Sequence, residues 1–283
     1  MLLVTTIAAV RARREEAGRL GTRIAFVPTM GALHAGHAAL VRCAREHADE
    51  VWASVFVNPT QFGPGEDLER YPRTLERDRE LLAEAGAVLL FVPGVKEIYP
   101  RPSVTVVEVP ELATGLCGPY RPGHFGGVAL VVTKLLNIVQ PHVAVFGAKD
   151  AQQAAIVRRM AADLCFPVEV VVAPTVREVD GLAMSSRNAY LTGEARRVAA
   201  VLCRALETGR AVALAGERRG VALEAAMAAE IRGEPLAALE YAAAVDPDTL
   251  RPAVAVRGRV LLALAARVGS TRLIDNLLLE GLV

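Results

Sequence analysis

The stretch FVPTMGALHAGH, residues 26–37, decides the fold and the placement of the site. It continues an apolar run that begins at Arg23, turns through Pro28 and Gly31, and enters a helical pattern near Gly36. A buried strand, a glycine turn and a helix in that order are typical of an open α/β sheet, whose ligands bind beyond the carboxyl ends of the strands. The helix start offers unpaired N–H groups and the positive end of a dipole, which suits a phosphate group.

Two histidines lie in this stretch, His34 and His37. Because they are three residues apart, they share one face at the start of a helix. Gly36 between them has no side chain, so a ligand can approach the backbone there. The alternative is that the two histidines only cap the helix or pack locally. That interpretation fits an isolated HxxH better than an HxxH that follows a strand and begins a helix. Metal binding by the pair would need a third ligand, and none is nearby in the sequence.

Apolar runs and helical patterns alternate through the first two thirds of the chain. Such nearly continuous runs of Val, Ile and Phe indicate strands buried on both faces of a parallel sheet, joined by right-handed crossovers. Strands are predicted at 23–28, 51–57, 87–92, 143–147 and 167–173, and helices at 37–49, 73–85, 127–139 and 151–164. We therefore predict a Rossmann-like, doubly wound α/β domain over residues 1–175.

The pattern changes after Pro174. Helical patterns at 192–210 and 222–231 are followed by β-like segments at 240–245, 260–266 and 272–278. Helices followed by consecutive strands predict a smaller α+β domain, here over residues 176–283.

The composition excludes several classes of protein. Hydrophobic residues make up 53% of the chain and charged residues 22%, so there is material for a packed core and disorder is not the main state. The formal net charge is +1, which lacks the basic excess of a nucleic-acid binder. The chain has no run of 18 apolar residues, so no membrane span is predicted. Its arginines follow the apolar start, whereas a secretory signal has its positive charges first. We expect a soluble, cytoplasmic protein whose four cysteines are buried free thiols.

A second candidate site segment runs from Met184 to Arg187, with Ser185 and Ser186 between them. Two hydroxyls and a guanidinium in a loop can hold a triphosphate, because arginine offers a two-pronged donor. Taken alone, a polar turn before a helix explains the segment equally well. Together with HxGH, it resembles the two-part signature of the adenylate-forming nucleotidyltransferase superfamily.

Three further segments follow predicted strands or precede a helix. Asn58 and Gln61 lie in VNPTQFG (57–63), where neutral amides can bind hydroxyls or a carboxylate. Lys149 and Asp150 lie in FGAKDAQQ (146–153), where the lysine can meet a phosphate. The alternative for VNPTQFG is a simple turn, and the alternative for FGAKDAQQ is a surface ion pair with a helix cap. The third segment is RPGHF (121–125), for which the alternative is a plain loop.

The segments occur together in the order seen in one family. They are PTMGALHAGH (28–37), VFVNPTQFG (55–63), RYPRT (70–74), RPGHF (121–125), FGAKDAQQ (146–153) and PTVREVDGLAMSSRNAYL (174–191). On these segments the chain resembles the pantoate–β-alanine ligase (pantothenate synthetase) family, and EYAAAVDPDTL (240–250) is similar to that family's C-terminal domain.

The resemblance implies an activity and its requirements. The expected reaction is the ATP-dependent condensation of pantoate with β-alanine to pantothenate through pantoyl adenylate, with release of AMP and pyrophosphate, in coenzyme A biosynthesis. It also implies Mg²⁺ with ATP and a homodimer. From the net charge and the apolar runs described above, we expect no nucleic-acid or membrane partner. The domain at 176–283 would act as a lid that carries the MSSR loop.

The resemblance also implies residue roles. The catalytic set is expected to be His37 as proton donor with His34, Lys149, Ser185, Ser186 and Arg187. The ATP site would comprise Met30, Gly31, Ala32, Leu33, His34, Ala35, Gly36, His37, Gly147, Ala148, Lys149, Asp150, Val176, Met184, Ser185, Ser186 and Arg187. Pantoate would contact Gln61, Gln153 and Asn58, and β-alanine would contact Gln61. Tyr71 and Arg121 match residues near the site, and the metal ligand stays open between Asp78 and Asp150.

Two other functions remain as alternatives. One is a nucleotidyltransferase that joins a nucleotide to a phosphorylated acceptor, which shares HxGH but never releases AMP. The other is a nucleotide-binding module without catalysis. No GxSxG nucleophile motif is found, so a covalent acyl-enzyme is not expected.

Overall fold

The computed structural model describes residues 1–282 and divides them into two compact units. The first unit comprises Met1–Val109, Arg121–Gly147 and Ile156–Pro174. The second unit comprises Pro110–Tyr120, Ala148–Ala155 and the chain from Thr175 onward. The domain boundary predicted at residue 175 therefore differs from these units in two short segments. Pro110–Tyr120 and Ala148–Ala155 precede that boundary but belong to the second unit.

The regular elements follow the predicted order. The strands are β1 (Leu2–Val4), β2 (Ile24–Thr29), β3 (Glu50–Val55), β4 (Leu89–Phe91), β5 (Val143–Gly147), β6 (Glu169–Ala173), β7 (Ala237–Val245), β8 (Gly258–Val268) and β9 (Thr271–Leu282). The helices are α1 (Ile7–Arg19), α2 (Ala35–Arg45), α3 (Leu75–Ala85), α4 (Val95–Ile98), α5 (Pro110–Ala113), α6 (His124–Val139), α7 (Ala151–Asp163), α8 (Gly193–Val198), α9 (Val201–Leu214) and α10 (Gly220–Arg232).

The first unit contains a six-stranded sheet in the order β1-β4-β3-β2-β5-β6, with every pair parallel. This confirms the predicted doubly wound α/β fold. The chain builds outward from β2 through β3 and β4, then returns to add β5 on the other side of β2. In such a sheet a ligand is expected at the carboxyl end of the strands where the direction of winding reverses.

Burial on both faces explains the continuous apolar runs. Residues Ile24 to Val27 of β2 are fully buried, and Val41 of α2 and Leu82 of α3 pack into the same core. Four elements were absent from the prediction: β1, α1, α4 and α5, of which the last two have four residues each. The first has only three residues, which is too short to show a pattern. The second begins at the N-cap Thr6, whose hydroxyl accepts the Ala9 N–H at 3.2 Å, a start signal that sequence reasoning overlooked.

The second unit contains an antiparallel sheet in the order β7-β8-β9 with α9 and α10 packed against it. Its core includes Leu202 and Leu206 of α9, Met227 of α10 and Leu262 of β8. This confirms the predicted α+β C-terminal part. The helix expected at 192–210 is divided into α8 and α9.

The cysteines differ from the expectation. All four are free, but only Cys117 is buried, while Cys43 and Cys203 are half-buried and Cys165 is exposed. Cys165 lies just beyond the end of α7 in a left-handed conformation with φ of 54°, where the chain turns at the surface. Among residues 1–282, no helix is long and apolar enough to cross a membrane.

Candidate active site

The turn after β2 is held by the buried carboxylate of Asp78, which is 1% exposed on α3. Its oxygens accept the N–H groups of Ala32 at 3.0 Å and Leu33 at 2.8 Å, and the hydroxyl of Thr74 at 3.0 Å. Gly31 has a φ of 86°, a left-handed conformation that favours glycine. A Cβ there would lie 3.0 Å from both Asp78 Oδ2 and a Val55 methyl group. The sequence PTMGAL therefore folds into a tight turn that fixes the start of α2.

His34 and His37 together cap α2. His34 is the N-cap, and its Nδ1 accepts the Gly36 N–H at 3.2 Å. His37 Nδ1 accepts the His34 N–H at 3.3 Å, and the two ring centroids lie 4.2 Å apart. A neutral imidazole whose Nδ1 accepts a hydrogen bond carries its proton on Nε2. The capping arrangement thus selects two Nε2–H donors at a helix N-terminus. The local capping alternative is correct as geometry, and it is compatible with anion binding.

Asn58 and Gln61 lie together beyond β3. Asn58 is buried, and its Oδ1 accepts from Thr60 Oγ1 at 3.0 Å and Tyr99 Oη at 2.9 Å. Its Nδ2 donates to Gln61 Oε1 at 3.1 Å and to the Gly127 carbonyl at 3.1 Å. Since Asn58 holds Oε1 of Gln61, the Gln61 amide has one orientation, in which Nε2 donates to Met30 Sδ at 2.8 Å. Asn58 therefore orients Gln61.

The RPGHF loop supports the same turn from the other side. Arg121 forms a two-pronged ion pair with Glu66, with contacts of 2.9 and 2.6 Å, and its Nη1 lies 2.9 Å from His124 Nε2. His124 Nδ1 lies 2.7 Å from the Gln61 carbonyl oxygen. A neutral His124 that donates from Nδ1 and accepts at Nε2 satisfies both contacts. The loop thus fixes the backbone of Gln61.

Helix α6 approaches this turn closely at Gly127. A Cβ at Gly127 would lie 2.2 Å from the Thr60 carbonyl oxygen and 2.7 Å from the Gln61 nitrogen. Only a hydrogen atom fits in that space, so glycine is required by close approach of two backbones. Tyr71, which is 5% exposed, packs edge-on against Phe62 with ring centroids 5.9 Å apart, and this closes the turn.

In the second unit, the turn after β5 carries Lys149 and Asp150. Their side chains form an ion pair at 3.7 Å, in which Lys149 is 18% exposed and Asp150 is 47% exposed. The side chain of Asn276 on β9 donates to the carbonyls of Ala148 at 2.9 Å and Lys149 at 2.8 Å. Because that amide holds two successive carbonyls, the backbone of the turn is fixed.

The segment before the MSSR loop is a small hairpin. Arg177 pairs with Ala183, the Met184 N–H donates to the Val176 carbonyl at 2.9 Å, and Gly181 turns the chain with φ of 88°. The loop itself begins at Ser185, whose hydroxyl accepts the Arg187 N–H at 3.2 Å and caps a short 3₁₀ helix. The hairpin therefore delivers Ser185, Ser186 and Arg187 in a defined turn.

A buried ion pair anchors the hairpin. Arg177 donates to Asp275 at 2.6 and 3.0 Å, and the Asp275 side chain is 1% exposed. Burial raises the pKa of Asp275, against the lowering effect of Arg177. Burial also opposes the charge of Arg177, but the hydrogen bonds and charge of Asp275 outweigh it and raise the pKa of Arg177. Removal of one partner would leave an uncompensated buried charge, which is strongly destabilising.

The predicted site residues fall into two groups. The first unit holds Met30, Gly31, Ala32, Leu33, His34, Ala35, Gly36, His37, Asn58, Gln61, Tyr71, Asp78, Arg121 and Gly147, and the second holds Ala148, Lys149, Asp150, Gln153, Val176, Met184, Ser185, Ser186 and Arg187. Gln153 is half-buried on the first turn of α7.

Sequence reasoning missed four residues that hold these groups in place: Thr74, Tyr99, Asp275 and Asn276. Thr74 ends the RYPRT segment, but the motif does not show that its hydroxyl holds Asp78. Tyr99, Asp275 and Asn276 lie outside every motif, and their partners are distant in sequence. Within residues 1–282, no group of three or more His, Cys, Asp and Glu side chains is arranged to hold a metal ion.

Known proteins resemble this chain over its whole length. The family model described as pantoate-beta-alanine ligase matches residues 2–278. The pantothenate synthetase of Moorella thermoacetica is 55% identical over 280 residues, which covers 99% of each chain. Among solved structures, the pantothenate synthetase of Thermus thermophilus is 51% identical with a TM-score of 0.92, and the match covers 98% of this chain and 99% of that one.

A second solved structure is a complex with ligands. The pantoate-beta-alanine ligase of Francisella tularensis, crystallised in a complex with beta-gamma ATP and beta-alanine, is 34% identical with a TM-score of 0.80. The match covers 98% of this chain and 97% of that one. Since both the family model and the relatives extend over nearly all of the sequence, this chain belongs to the pantoate–β-alanine ligase family.

Proposed function

We propose that this chain condenses pantoate with β-alanine to form pantothenate, at the expense of ATP. The observation that carries the proposal is the full-length family match, 55% identity over 99% of both chains, combined with an intact set of site segments. The Francisella relative is described with an ATP form and β-alanine bound, and we extend both ligand classes to this chain.

The first step activates a poor acyl donor. The pantoate carboxylate attacks the α-phosphorus of ATP, so a new C–O–P linkage forms as the bond to pyrophosphate breaks. Negative charge grows on the phosphoryl oxygens and on the leaving pyrophosphate, and fixed donors there stabilise the transition state. We assign that work to His34, His37, Lys149, Arg187 and the hydroxyls of Ser185 and Ser186. The capping geometry supports the assignment, since both histidines have Nε2–H donors at the start of α2.

The carboxylate site in this proposal centres on Gln61. Its Oε1 is held by Asn58, so Nε2 is the atom presented as a donor, and a neutral donor suits a carboxylate that must later react. Gln153 completes the pantoate site, and Asn58 acts mainly by orienting Gln61. Tyr71 and Arg121 act through the loops that they hold.

In the second step the β-alanine amine attacks the acyl carbon of pantoyl adenylate. The amide bond forms as the bond to AMP breaks, and the proton lost by the amine leaves through a base or water. We assign the incoming amine to the neighbourhood of Gln61 and the protonation of the leaving phosphate to His37. Because water would hydrolyse the adenylate, we expect the lid role of residues 176–283 to matter at this stage.

Mg²⁺ with ATP is part of the proposal. Magnesium in nucleotide sites is held by one or two carboxylates together with substrate phosphates. Asp150 fits that role, because it is partly exposed and next to Lys149. Asp78 fits poorly, because its oxygens already accept three hydrogen bonds. An ion held by Asp150 would neutralise phosphate charge.

The homodimer remains a prediction from the family resemblance, and the cytoplasmic location remains a prediction from the sequence composition. The rival functions, nucleotidyl transfer to a phosphorylated acceptor and nucleotide binding without catalysis, have no observation of their own in their favour.

The test is exchange of labelled pyrophosphate into ATP. It should require pantoate, ATP and Mg²⁺ but not β-alanine, and addition of β-alanine should yield AMP and pantothenate. Acetate in place of pantoate is the matched control. Exchange that needs β-alanine, or equal exchange with acetate, would contradict the proposed reaction.

A further inference from the structure

Asp275 and Asn276, two consecutive residues on β9, hold two segments of the second unit. Asn276 contacts the Lys149 turn assigned above to ATP, and Asp275 contacts Arg177 in the hairpin that leads to the Ser185–Arg187 loop. Both β9 residues are buried, at 2% and 8% exposure. Consecutive side chains of a strand point to opposite faces, so one short stretch can hold a different segment on each side. This stretch lies in none of the motifs that marked the site in the sequence.

Asp275 holds the hairpin that precedes the MSSR loop. Besides the two contacts from Arg177, its Oδ1 accepts the Asn276 N–H at 2.8 Å. Arg177 also donates to the Gly181 carbonyl at 2.9 Å, inside the hairpin turn. The carboxylate thus fixes one strand of the hairpin directly and its turn through Arg177.

Asn276 holds the Lys149 turn through its side-chain amide. Both contacts are donations from Nδ2 to carbonyl oxygens, at Ala148 and at Lys149 itself. These carbonyls flank the Lys149 nitrogen and Cα, so their positions determine where the lysine side chain leaves the backbone. No side-chain group of Lys149 is used in the contact.

We infer that Asp275 and Asn276 are positioning residues that set the placement of the Lys149 turn relative to the loop of Ser185–Arg187. The inference rests on the proposed function, because it takes both segments to bind the ATP phosphates. In this inference the side chains of Asp275 and Asn276 contact protein groups and need no contact with nucleotide or pantoate. They act by holding two backbone segments against one rigid strand.

The test uses Asn276→Ala, which removes both donors, and Asn276→Asp, which keeps the shape but places oxygen against two carbonyl oxygens. The matched control is Arg272→Gln, also on β9, which breaks the 2.7 Å ion pair of that arginine with Glu240 on β7. Titration with Mg²⁺-ATP should show an affinity loss of about 10-fold for Asn276→Ala and more for Asn276→Asp, since about 1.4 kcal/mol is tenfold. Arg272→Gln should bind ATP as the unchanged chain does.

A double-mutant cycle separates positioning from general stability. If Asn276 acts through Lys149, then Asn276→Ala should add little further loss in a Lys149→Ala background. Arg272→Gln should behave the same in both backgrounds. Fully additive losses for Asn276→Ala and Lys149→Ala, or ATP affinity equal to that of the Arg272→Gln control, would overturn the inference.

This readout is independent of the overall reaction. ATP affinity is measured without pantoate, so absence of pantoate-dependent pyrophosphate exchange would refute the proposed function while the titrations still decide the role of Asn276. Asn276→Ala also guards against a variant that fails to fold, because it introduces no buried charge.

Discussion

Replacement of Gly127 by alanine tests how strictly the turn that carries Gln61 must be placed. The added methyl group would lie 2.2 Å from the Thr60 carbonyl oxygen and 2.7 Å from the Gln61 nitrogen. Ordinary contact needs about 3.5 Å, so the turn or α6 has to move by more than about 1 Å. A shift of about 1 Å in a positioning group can cost on the order of 100-fold in rate. Overpacking of this kind also costs roughly 1–3 kcal/mol of stability.

The assay is the steady-state rate with varied pantoate, together with thermal unfolding. The control is Gly126→Ala in the same helix, where the new methyl group would be 3.8 Å from Glu108, an ordinary contact. That control removes a helical glycine and should stabilise the chain by up to about 1 kcal/mol. We expect kcat/KM for pantoate to fall about 100-fold in Gly127→Ala alone. Values for Gly127→Ala within about threefold of the control would refute this reasoning.

Three further predictions follow from contacts in the first unit. His37→Asn keeps an acceptor for the helix cap but loses Nε2, so turnover should fall about 10²–10³-fold while the melting temperature stays close to that of the parent chain; normal turnover would remove His37 from the catalytic set. Gln61→Ala should weaken pantoate binding by about 1–3 kcal/mol and leave ATP binding nearly unchanged, as measured by titration of each ligand; equal losses would mean that the carboxylate site is misassigned. Burial, helped by two nearby arginines, lowers the pKa of His142 below its ordinary 6.5, and its Nδ1 accepts the Ile24 N–H. The unfolded chain therefore binds more protons in acid, so stability should be lost as pH falls from about 6.5 through the lower folded value. His142→Asn, which keeps an acceptor, should flatten that loss in melting curves, and an unchanged pH dependence would count against His142 as its source.

The strands that build the sheet centre were predictable from the sequence, because burial on both faces leaves a continuous apolar run. β2, β3 and β5 agree with the predicted segments to within two residues. β1 was not predictable in this way. Its three residues find their partner at Leu89 to Phe91, so its identity as a strand depends on a pairing far along the chain.

The candidate site shows the same limit. Motifs identify residues by type and spacing, but they do not show where hydrogen bonds are already used. In the sequence NPTQ, Asn58 and Gln61 are two similar amides. In the fold, the Asn58 side chain forms hydrogen bonds with four neighbours, one of which is Oε1 of Gln61, so Nε2 of Gln61 is the donor proposed for the ligand. Asp275 was invisible for a related reason, since its partner Arg177 is 98 positions away.

The place of β2 in the sheet has a consequence for synthesis on the ribosome. β3 pairs Val51 with Ala25 soon after β2 emerges, whereas the β5 partner of Ala25 is Val143, 118 positions further along the chain. At about 5–20 residues per second, the second edge of β2 waits on the order of 6–24 s for its partner. An unpaired strand edge is a template for wrong pairing with other chains. β2 and β5 thus meet where the winding of the sheet reverses and where a ligand is expected. In the nascent chain, the same edge of β2 needs protection from other chains until β5 has been made.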